Sequence, residues 1–268
     1  MHKTKLVTRF LYLFCLSASL FLSGCTDKEA EVKQVDYCLN HYRAKSYKVA
    51  LKECQIAAEQ GSSQALWLMA NFYRFDLLDE GVDLTEAFNW YLKAAKKGHT
   101  PAMREVGIAL LYANGVSEDL DSAYTWLMKA AKQQDARAEF SVGIIFFEGK
   151  GRTKDLGSAV NWFKRAATQK HTMSINNLAW VFATSTNKAF NSPKKAKFWI
   201  EKMEKQFFEV PMFLDTKAAV MAAQKNFKEA IKLQNSAIAK LSQETPENEL
   251  LEYQKHLESY LKEEAWNE

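Results

Sequence analysis

The chain has 268 residues, of which 47% are hydrophobic and 25% charged, with only 10 Gly and 4 Pro. This composition is that of a globular protein, and the shortage of Gly and Pro argues against a fold of many short strands. The net charge is +4, but residues 1–24 hold three bases and no acid, so 36 − 3 = 33 bases face 32 acids in the remainder. A charge of about +1 excludes an electrostatic argument for binding nucleic acid.

The first 24 residues have the pattern of an export signal. A basic start is followed by an apolar run over residues 10–22, which at 13 residues is too short to span a bilayer as a helix. The next residues, L-S-G-C at 22–25, resemble the lipobox of bacterial lipoproteins. That resemblance implies cleavage before Cys25, lipidation of Cys25 and anchoring in a membrane. The alternative is an ordinary secretory signal followed by an incidental cysteine.

The residue after the lipidated cysteine bears on the membrane in which such a protein is retained. Asp at this place favours the inner membrane in lipoproteins of two-membrane bacteria, and this chain has Thr26. The resemblance therefore implies the periplasmic face of the outer membrane. Residues 25–35 are polar and are predicted to be a tether, although a helix starting at Glu29 is the alternative.

A short helix over 36–44 and a second over 46–60 are predicted to open the folded part of the chain. Cys38 and Cys54 lie equally far from residue 46, where the turn is expected, so an antiparallel hairpin would bring them opposite each other. In an oxidising compartment they are expected to form a disulfide worth about 3 kcal/mol. The alternative is two free buried thiols.

A 16-residue stretch, D-L-T-E-A-F-N-W-Y-L-K-A-A-K-K-G, starts at Asp83. It returns in varied form at Asp119 and Asp155, in steps of 36 residues, with the Asp, the Trp and the paired alanines in register. Such a period indicates a repeat array. The Asp is expected to cap a helix, the Gly at 98 to end it at positive φ, and the Ala and aromatic residues between them to form an apolar stripe. The tryptophans that share one repeat position are predicted to be core: Trp90, Trp126, Trp162 and Trp199.

Another helix is predicted ahead of each of these, over 64–74, 101–113 and 137–148. It is the first helix of its repeat, and the helix that starts after the Asp is the second. Gly107 and Gly143 align within it, although Gly in a helix costs about 1 kcal/mol relative to Ala. We interpret the pair as places where a neighbouring backbone comes close.

Together these elements resemble the Sel-one-like repeat, a relative of the tetratricopeptide repeat. The matching features are the V-G-x-x-Y/F core of the first helix, the Gly-containing loop, the Asp, the W-Y pair and A-A-x-x-G, best matched over 62–170. The resemblance implies an all-α, right-handed α-solenoid of antiparallel helix pairs, with the array covering residues 36–171.

Residues 172–268 are predicted to continue the array in degenerate form. Ser192-Pro193 restarts a helix in a fourth copy, and residues 215–240 resemble a tetratricopeptide unit. Residues 246–264, with Thr245 as N-cap, are expected to form the capping helix that repeat arrays need.

Little in the chain suggests catalysis or a cofactor. The five His are scattered without metal-ligand spacing, and His99 and His171, two periods apart, are interpreted as helix-end residues. Ser185-x-x-Lys188 and Ser192-x-x-Lys195 match the S-x-x-K motif of penicillin-binding enzymes, but no K-T-G follows. We therefore expect no enzyme, no metal and no cofactor.

Positions at which the repeats carry different residues are candidates for recognising a partner. Positions aligned on the first helices carry different residues, and in tetratricopeptide superhelices such positions line the concave groove. The candidate partner-binding residues are Trp67, Asn71, Arg74, Arg104, Ile108, Phe140, Ile144, Asn176 and Trp180. The alternative is that tighter curvature buries them.

The predicted function is a membrane-anchored periplasmic scaffold for an envelope protein or peptide. There are two alternatives: a cell-wall protein that interacts with penicillin or muropeptides, and a purely structural spacer.

Overall fold

The computed structural model describes residues 32–268, and the regular structure in that part of the chain is entirely helical. Helix α1 covers residues 32–43. The others are α2 (Tyr47–Glu59), α3 (Ser63–Arg74), α4 (Leu84–Lys96), α5 (Thr100–Tyr112), α6 (Leu120–Lys132), α7 (Ala136–Glu148), α8 (Leu156–Thr168), α9 (Thr172–Thr184), α10 (Pro193–Ile200), the 3-10 helix η1 (Lys205–Glu209), α11 (Pro211–Ala223), α12 (Phe227–Ala239) and α13 (Glu247–Leu261). Consecutive helices pack against each other within two compact units that divide between Gln133 and Gln134. The prediction of an all-α solenoid of helix pairs is confirmed.

The Asp of each recurring stretch begins its helix as predicted. The carboxylates of Asp83, Asp119 and Asp155 accept hydrogen bonds from backbone N–H groups three residues on, at 2.9, 3.0 and 3.1 Å. These bonds satisfy donors that have no partner inside the helix. The N–H of Ser122 holds the pKa of Asp119 below its ordinary value, because the bond favours the ionised carboxylate. The pKa of Asp155 is lowered mainly by the Ser158 hydroxyl, which donates to its carboxylate at 2.6 Å, and next by the Ser158 N–H.

The ends of these helices are more varied than their starts. Gly98 has a φ of +91°, the left-handed conformation that the sequence predicts for it. Gln134 and Lys170 occupy the same repeat position with φ of 62° and 64°. A side chain in this conformation costs about 1 kcal/mol that Gly avoids, so the array keeps its turn geometry even where the favourable residue is missing.

Helix pairing in each unit depends on a glycine that faces a large side chain. A Cβ built on Gly107 would lie 2.6 Å from Cγ of Leu127, and one on Gly143 would lie 2.5 Å from the ring of Phe163. Both of these large side chains are fully buried. The two glycines therefore make room mainly for side chains, whereas the sequence interpretation assigned the close approach to backbone.

The repeated tryptophans are half-buried, which corrects the prediction that they belong to the core. Lys93 lies over the ring of Trp90 at 3.9 Å, Lys129 over Trp126 at 4.2 Å, and Arg165 over Trp162 at 4.5 Å; Trp199 is half-buried too. The residue after each tryptophan is the buried one: Tyr91, Leu127, Phe163 and Ile200. Neighbouring positions on a helix differ by about 100° in direction, so the tryptophan lies at the edge of the helix pair and the residue after it points into the core.

Cys38 and Cys54 are joined in a disulfide with an S–S distance of 2.03 Å. Helix α1 already includes residues 32–35, which the sequence analysis gave to the tether. Gln34 explains this extension, because its amide donates hydrogen bonds to the carbonyl and the carboxylate of Glu53 at 3.1 and 2.6 Å. The predicted signal at 1–24 and the lipidation site Cys25 lie outside the described residues.

In the second unit the pattern loosens after α9. Ser192 caps α10 and Pro193 is its first residue, as predicted. Helices α11 and α12 pack as a pair where the tetratricopeptide-like unit is predicted, and α13 packs on α12. Thr245 is not the cap of α13: the helix starts at Glu247 without a side-chain cap.

Between residues 32 and 268, no helix has both the length and the hydropathy to cross a bilayer. Nor does that part of the chain gather three or more His, Cys, Asp or Glu side chains as metal ligands.

Candidate binding surface

Two of the aromatic residues predicted to face a partner pack instead against the start of the next first helix. The ring of Trp67 lies 5.5 Å from that of His99, and the ring of Phe140 lies 4.9 Å from that of His171. Both histidines are N-caps, as interpreted from their position: Nδ1 of His99 accepts from the N–H of Ala102 at 3.3 Å, and His171 does the same at α9. The position is therefore a junction between repeats.

The histidine caps have electrostatic consequences. Burial and the nearby positive charge of Arg104 lower the pKa of His99 to about 4. Burial also lowers the pKa of His171, with a smaller contribution from Arg137. Both imidazoles are thus held neutral, which is the form that can accept a hydrogen bond from the helix.

The two arginines of the predicted face share one carboxylate. Glu105 accepts from Nη2 of Arg104 at 2.9 Å and from Nη1 of Arg74 at 2.7 Å. Arg104 is only 8% exposed and Glu105 only 9%. Sequence reasoning missed Glu105, although its place beside Arg104 in an otherwise apolar helix is a signal, because a buried guanidinium needs a counter-charge.

Asn71 and Asn176 are also buried, at 3% and 4% exposure. The Asn71 amide oxygen accepts a hydrogen bond from the hydroxyl of Tyr91 at 2.6 Å, and burial raises the pKa of that hydroxyl. Asn71 and Arg104 therefore stabilise the fold from inside, as the alternative of burial anticipates. Asn176 is buried as well, but its side-chain oxygen has no hydrogen-bond partner within the described residues.

The other predicted positions keep part of their surface. Ile108 borders a small cavity of about 20 Å³ beside Arg74 and Tyr91. Ile144 packs against the core of the second unit. The indole N–H of Trp180 donates to the carboxylate of Glu268 at 2.8 Å, and its ring lies 5.4 Å from that of His256. These side chains are half-buried and contact their own unit.

A buried acid–histidine pair also escaped the sequence reasoning. Nδ1 of His256 lies 2.8 Å from Oδ1 of Asp215, and both residues are nearly inaccessible. The rings of Trp180 and Trp266 flank the imidazole. This pair links α11 to α13, and its burial between rings gives it a structural role.

Ser185 takes part in the turn that follows α9. It is nearly buried, and its hydroxyl accepts a hydrogen bond from the backbone N–H of Asn187 at 3.2 Å. The structure records no hydrogen bond between Ser185 and Lys188 within the residues it describes. Ser192 serves as the cap of α10. The S-x-x-K matches thus take part in turn and cap geometry.

The second unit also has an open groove of about 680 Å³ that no sequence signal indicated. It lies between the end of α8, the start of α9, and the segment from α10 to η1. We call it the α10 groove. Its apolar lining residues are Ala167, Ile175, Phe198, Trp199, Met203 and Phe207, and its charged ones are Lys170, Lys202 and Glu204.

Comparison with known proteins places the repeats in a family. The Sel1 repeat model matches residues 63–99, 100–135 and 136–171. Each match starts at the first residue of α3, α5 or α7. No match is found among curated proteins.

Solved structures with the same fold include two from bacteria. One is a protective antigen present in uropathogenic Escherichia coli strains and displaying an SLR fold, with a TM-score of 0.66 and 20% identity, over 82% of this chain and 46% of that one. The chain thus spans less than half of that protein. The other is a Sel1 repeat protein from Oxalobacter formigenes, with a TM-score of 0.62 and 20% identity, over 84% of this chain and 99% of that one. Residues 63–171 are three consecutive Sel1 repeats.

Proposed function

We propose that the chain is a lipid-anchored scaffold of the bacterial envelope, facing the periplasm, which binds a protein or peptide through its helical array. Sel1 repeats generally mediate protein–protein interaction. The observation that carries the proposal is that the second helix of each repeat keeps the same Asp cap and the same buried pair of alanines, while the first helices differ in sequence and in cap. A scaffold of constant geometry with variable positions suits recognition. The proposal contains no catalytic step.

The envelope location is supported by two separate features of the chain. The first is the L-S-G-C sequence at 22–25 behind a basic and then an apolar segment, with Thr26 next. The second is the disulfide between Cys38 and Cys54, since such bonds persist in oxidising compartments and are rare in the cytosol.

The anchor is tested by labelling cells with radioactive palmitate. We expect wild type to incorporate label and to sediment with outer membranes, and Cys25→Ala to lose both properties. Cys38→Ser serves as a matched control, because it removes a cysteine downstream of the cleavage site. Label that persists in Cys25→Ala would contradict lipidation at this cysteine.

The binding function is tested by crosslinking from the half-buried positions of the first helices. A photoreactive residue at 108 or 144 is expected to trap a discrete envelope protein in intact cells. The same residue at the exposed position 161 is the control for random contact. The chain is a structural spacer if neither position traps a protein and if substitutions of Ile108 and Ile144 cause no cellular phenotype at normal protein level.

A further inference from the structure

The α10 groove exists because the fourth helix pair departs from the repeat. Helices α4, α6 and α8 have 13 residues, whereas α10 has eight. Aligned on Ala159 and Ala196, the paired alanines of the repeats correspond to Met203 and Glu204. Paired alanines allow the next helix to pack closely, and a Met followed by a Glu does not. The chain therefore leaves the helix after Ile200 and turns through η1 before α11.

The lining of the groove is apolar and adaptable. Phe198 is 52% exposed at its mouth, with Trp199 beside it at 5.2 Å between ring centres. Met203 lies deeper and is buried. Aromatic and Met side chains bury large areas in binding sites, and Met adjusts to different shapes. A volume of about 680 Å³ is within the ordinary range for ligand sites and holds a few large side chains of a peptide.

The rim of the groove carries excess positive charge. Lys170 and Lys202 line it with a single acid, Glu204. The surrounding segment 188–205 has six lysines and two glutamates, although the chain after residue 24 is close to neutral. Nζ of Lys202 lies 4.5 Å from the centre of the Phe198 ring, so cation and apolar surface are presented together. Charge complementarity therefore favours an acidic partner.

We propose that the α10 groove binds an acidic amphipathic peptide segment of a partner protein, whose large apolar side chains enter the groove while its carboxylates face Lys170 and Lys202. This inference rests on the proposed function and adds the chemistry of the partner. The α10 groove lies apart from the partner-binding residues that the sequence predicts on the first helices. An extended peptide or a short helix with two or three apolar anchors flanked by Asp or Glu fulfils these requirements.

The test is selection from a random 12-residue peptide library displayed on phage, with the purified full chain as bait. Selected peptides are expected to combine two or more large apolar residues with Asp or Glu, and to bind more weakly as salt rises. Phe198→Ser and the double variant Lys170→Glu/Lys202→Glu are each expected to raise the Kd of a selected peptide by about tenfold or more.

Matched controls separate the groove from general surface effects. Leu251→Ser removes an apolar side chain that is 48% exposed on α13, and Lys197→Glu reverses an exposed lysine of α10 that does not line the groove. Both are expected to leave the Kd unchanged. Circular dichroism must show all variants folded, which the exposure of the substituted side chains favours.

Several results would overturn the inference: no selected peptide, selected peptides without acids, or an equal loss of binding in the controls. Binding to phosphatidylglycerol vesicles that depends on Lys202, without any selected peptide, would assign the groove to a membrane surface instead. If Phe198→Ser still crosslinks the same envelope protein from position 144, the proposed function stands and this groove is not its site. If wild type crosslinks nothing, the proposed function itself fails.

Discussion

Residue 143 lies where the packing leaves no room for a methyl group. A Cβ there would meet two ring carbons of Phe163 at 2.5 Å, and that ring is fully buried. We expect Gly143→Ala to lower the free energy of unfolding by about 1–2 kcal/mol, because overpacking costs about 1–3 kcal/mol and improved helix propensity returns up to about 1 kcal/mol. Urea denaturation followed by circular dichroism measures the change.

Gly157→Ala is the matched control for this substitution. Gly157 lies in α8, and a Cβ there would meet nothing closer than an oxygen of Asp155 at 3.2 Å. That variant is expected to change the free energy of unfolding by less than about 0.5 kcal/mol, because the exposed Asp155 side chain can shift by the few tenths of an ångström that the contact requires. If Gly143→Ala proved as stable as wild type, the steric role of the glycine would be wrong.

His99 makes the stability of its repeat depend on pH. Its pKa is lowered to about 4 in the folded chain and is near 6.5 when unfolded, so the unfolded state binds more protons between these values. The contribution of neutral His99 to the free energy of unfolding is therefore complete above pH 6.5 and is lost as the pH falls towards 4. We expect a loss on the order of 1 kcal/mol, because solvent screening reduces the effect for a half-exposed ring. Thermal melts from pH 7 to 4 provide the measurement.

Asp135 suggests the control, because it caps α7 at the same repeat position with a bond of 2.8 Å to Ala138. His99→Asp should keep the cap and flatten the pH dependence between 6.5 and 4 relative to wild type. His171 remains in that variant and retains its own smaller dependence. An unchanged slope in His99→Asp would show that the imidazole is not its source.

At the scale of the helices, prediction from sequence succeeds where a capping side chain marks the boundary. The Asp caps and the 36-residue period place the starts of α4, α6 and α8 to the residue. The same period cannot distinguish Trp90 from Tyr91, since both fall on an apolar stripe and only the neighbouring helix decides which is buried. Nor can it reveal the α10 groove, which depends on α10 ending early beside Met203.

Helix α1 is held by the disulfide and by a few side-chain contacts, among them the ring of Tyr42 against those of Tyr47 and Phe72. It is joined to α2 by Cys38–Cys54 and by Gln34, whereas many apolar side chains near it are exposed, Tyr37 among them. In the double variant Cys38→Ser/Cys54→Ser we expect faster amide exchange over residues 36–43, corresponding to a loss of about 3 kcal/mol in local stability.

Reductant provides the control for the disulfide experiment. Treating wild type with dithiothreitol should reproduce the exchange of the double variant, and treating the double variant should change nothing. Protection of residues 36–43 that survived both treatments would mean that packing alone holds α1.

At the scale of the whole molecule, a repeat array holds itself together through nearest neighbours, so a perturbation should remain local. Cys38 and Cys54 belong to the first compact unit, and Gly143 to the second. We expect Cys38→Ser/Cys54→Ser to raise amide exchange in α1 and leave α7 and α8 unchanged, and Gly143→Ala to do the reverse. Combined in one chain, the two changes should add to within about 0.5 kcal/mol, as changes at sites without shared partners do. Coupling well above that value, or exchange in α8 that responds to loss of the disulfide, would show that the chain unfolds as one cooperative body.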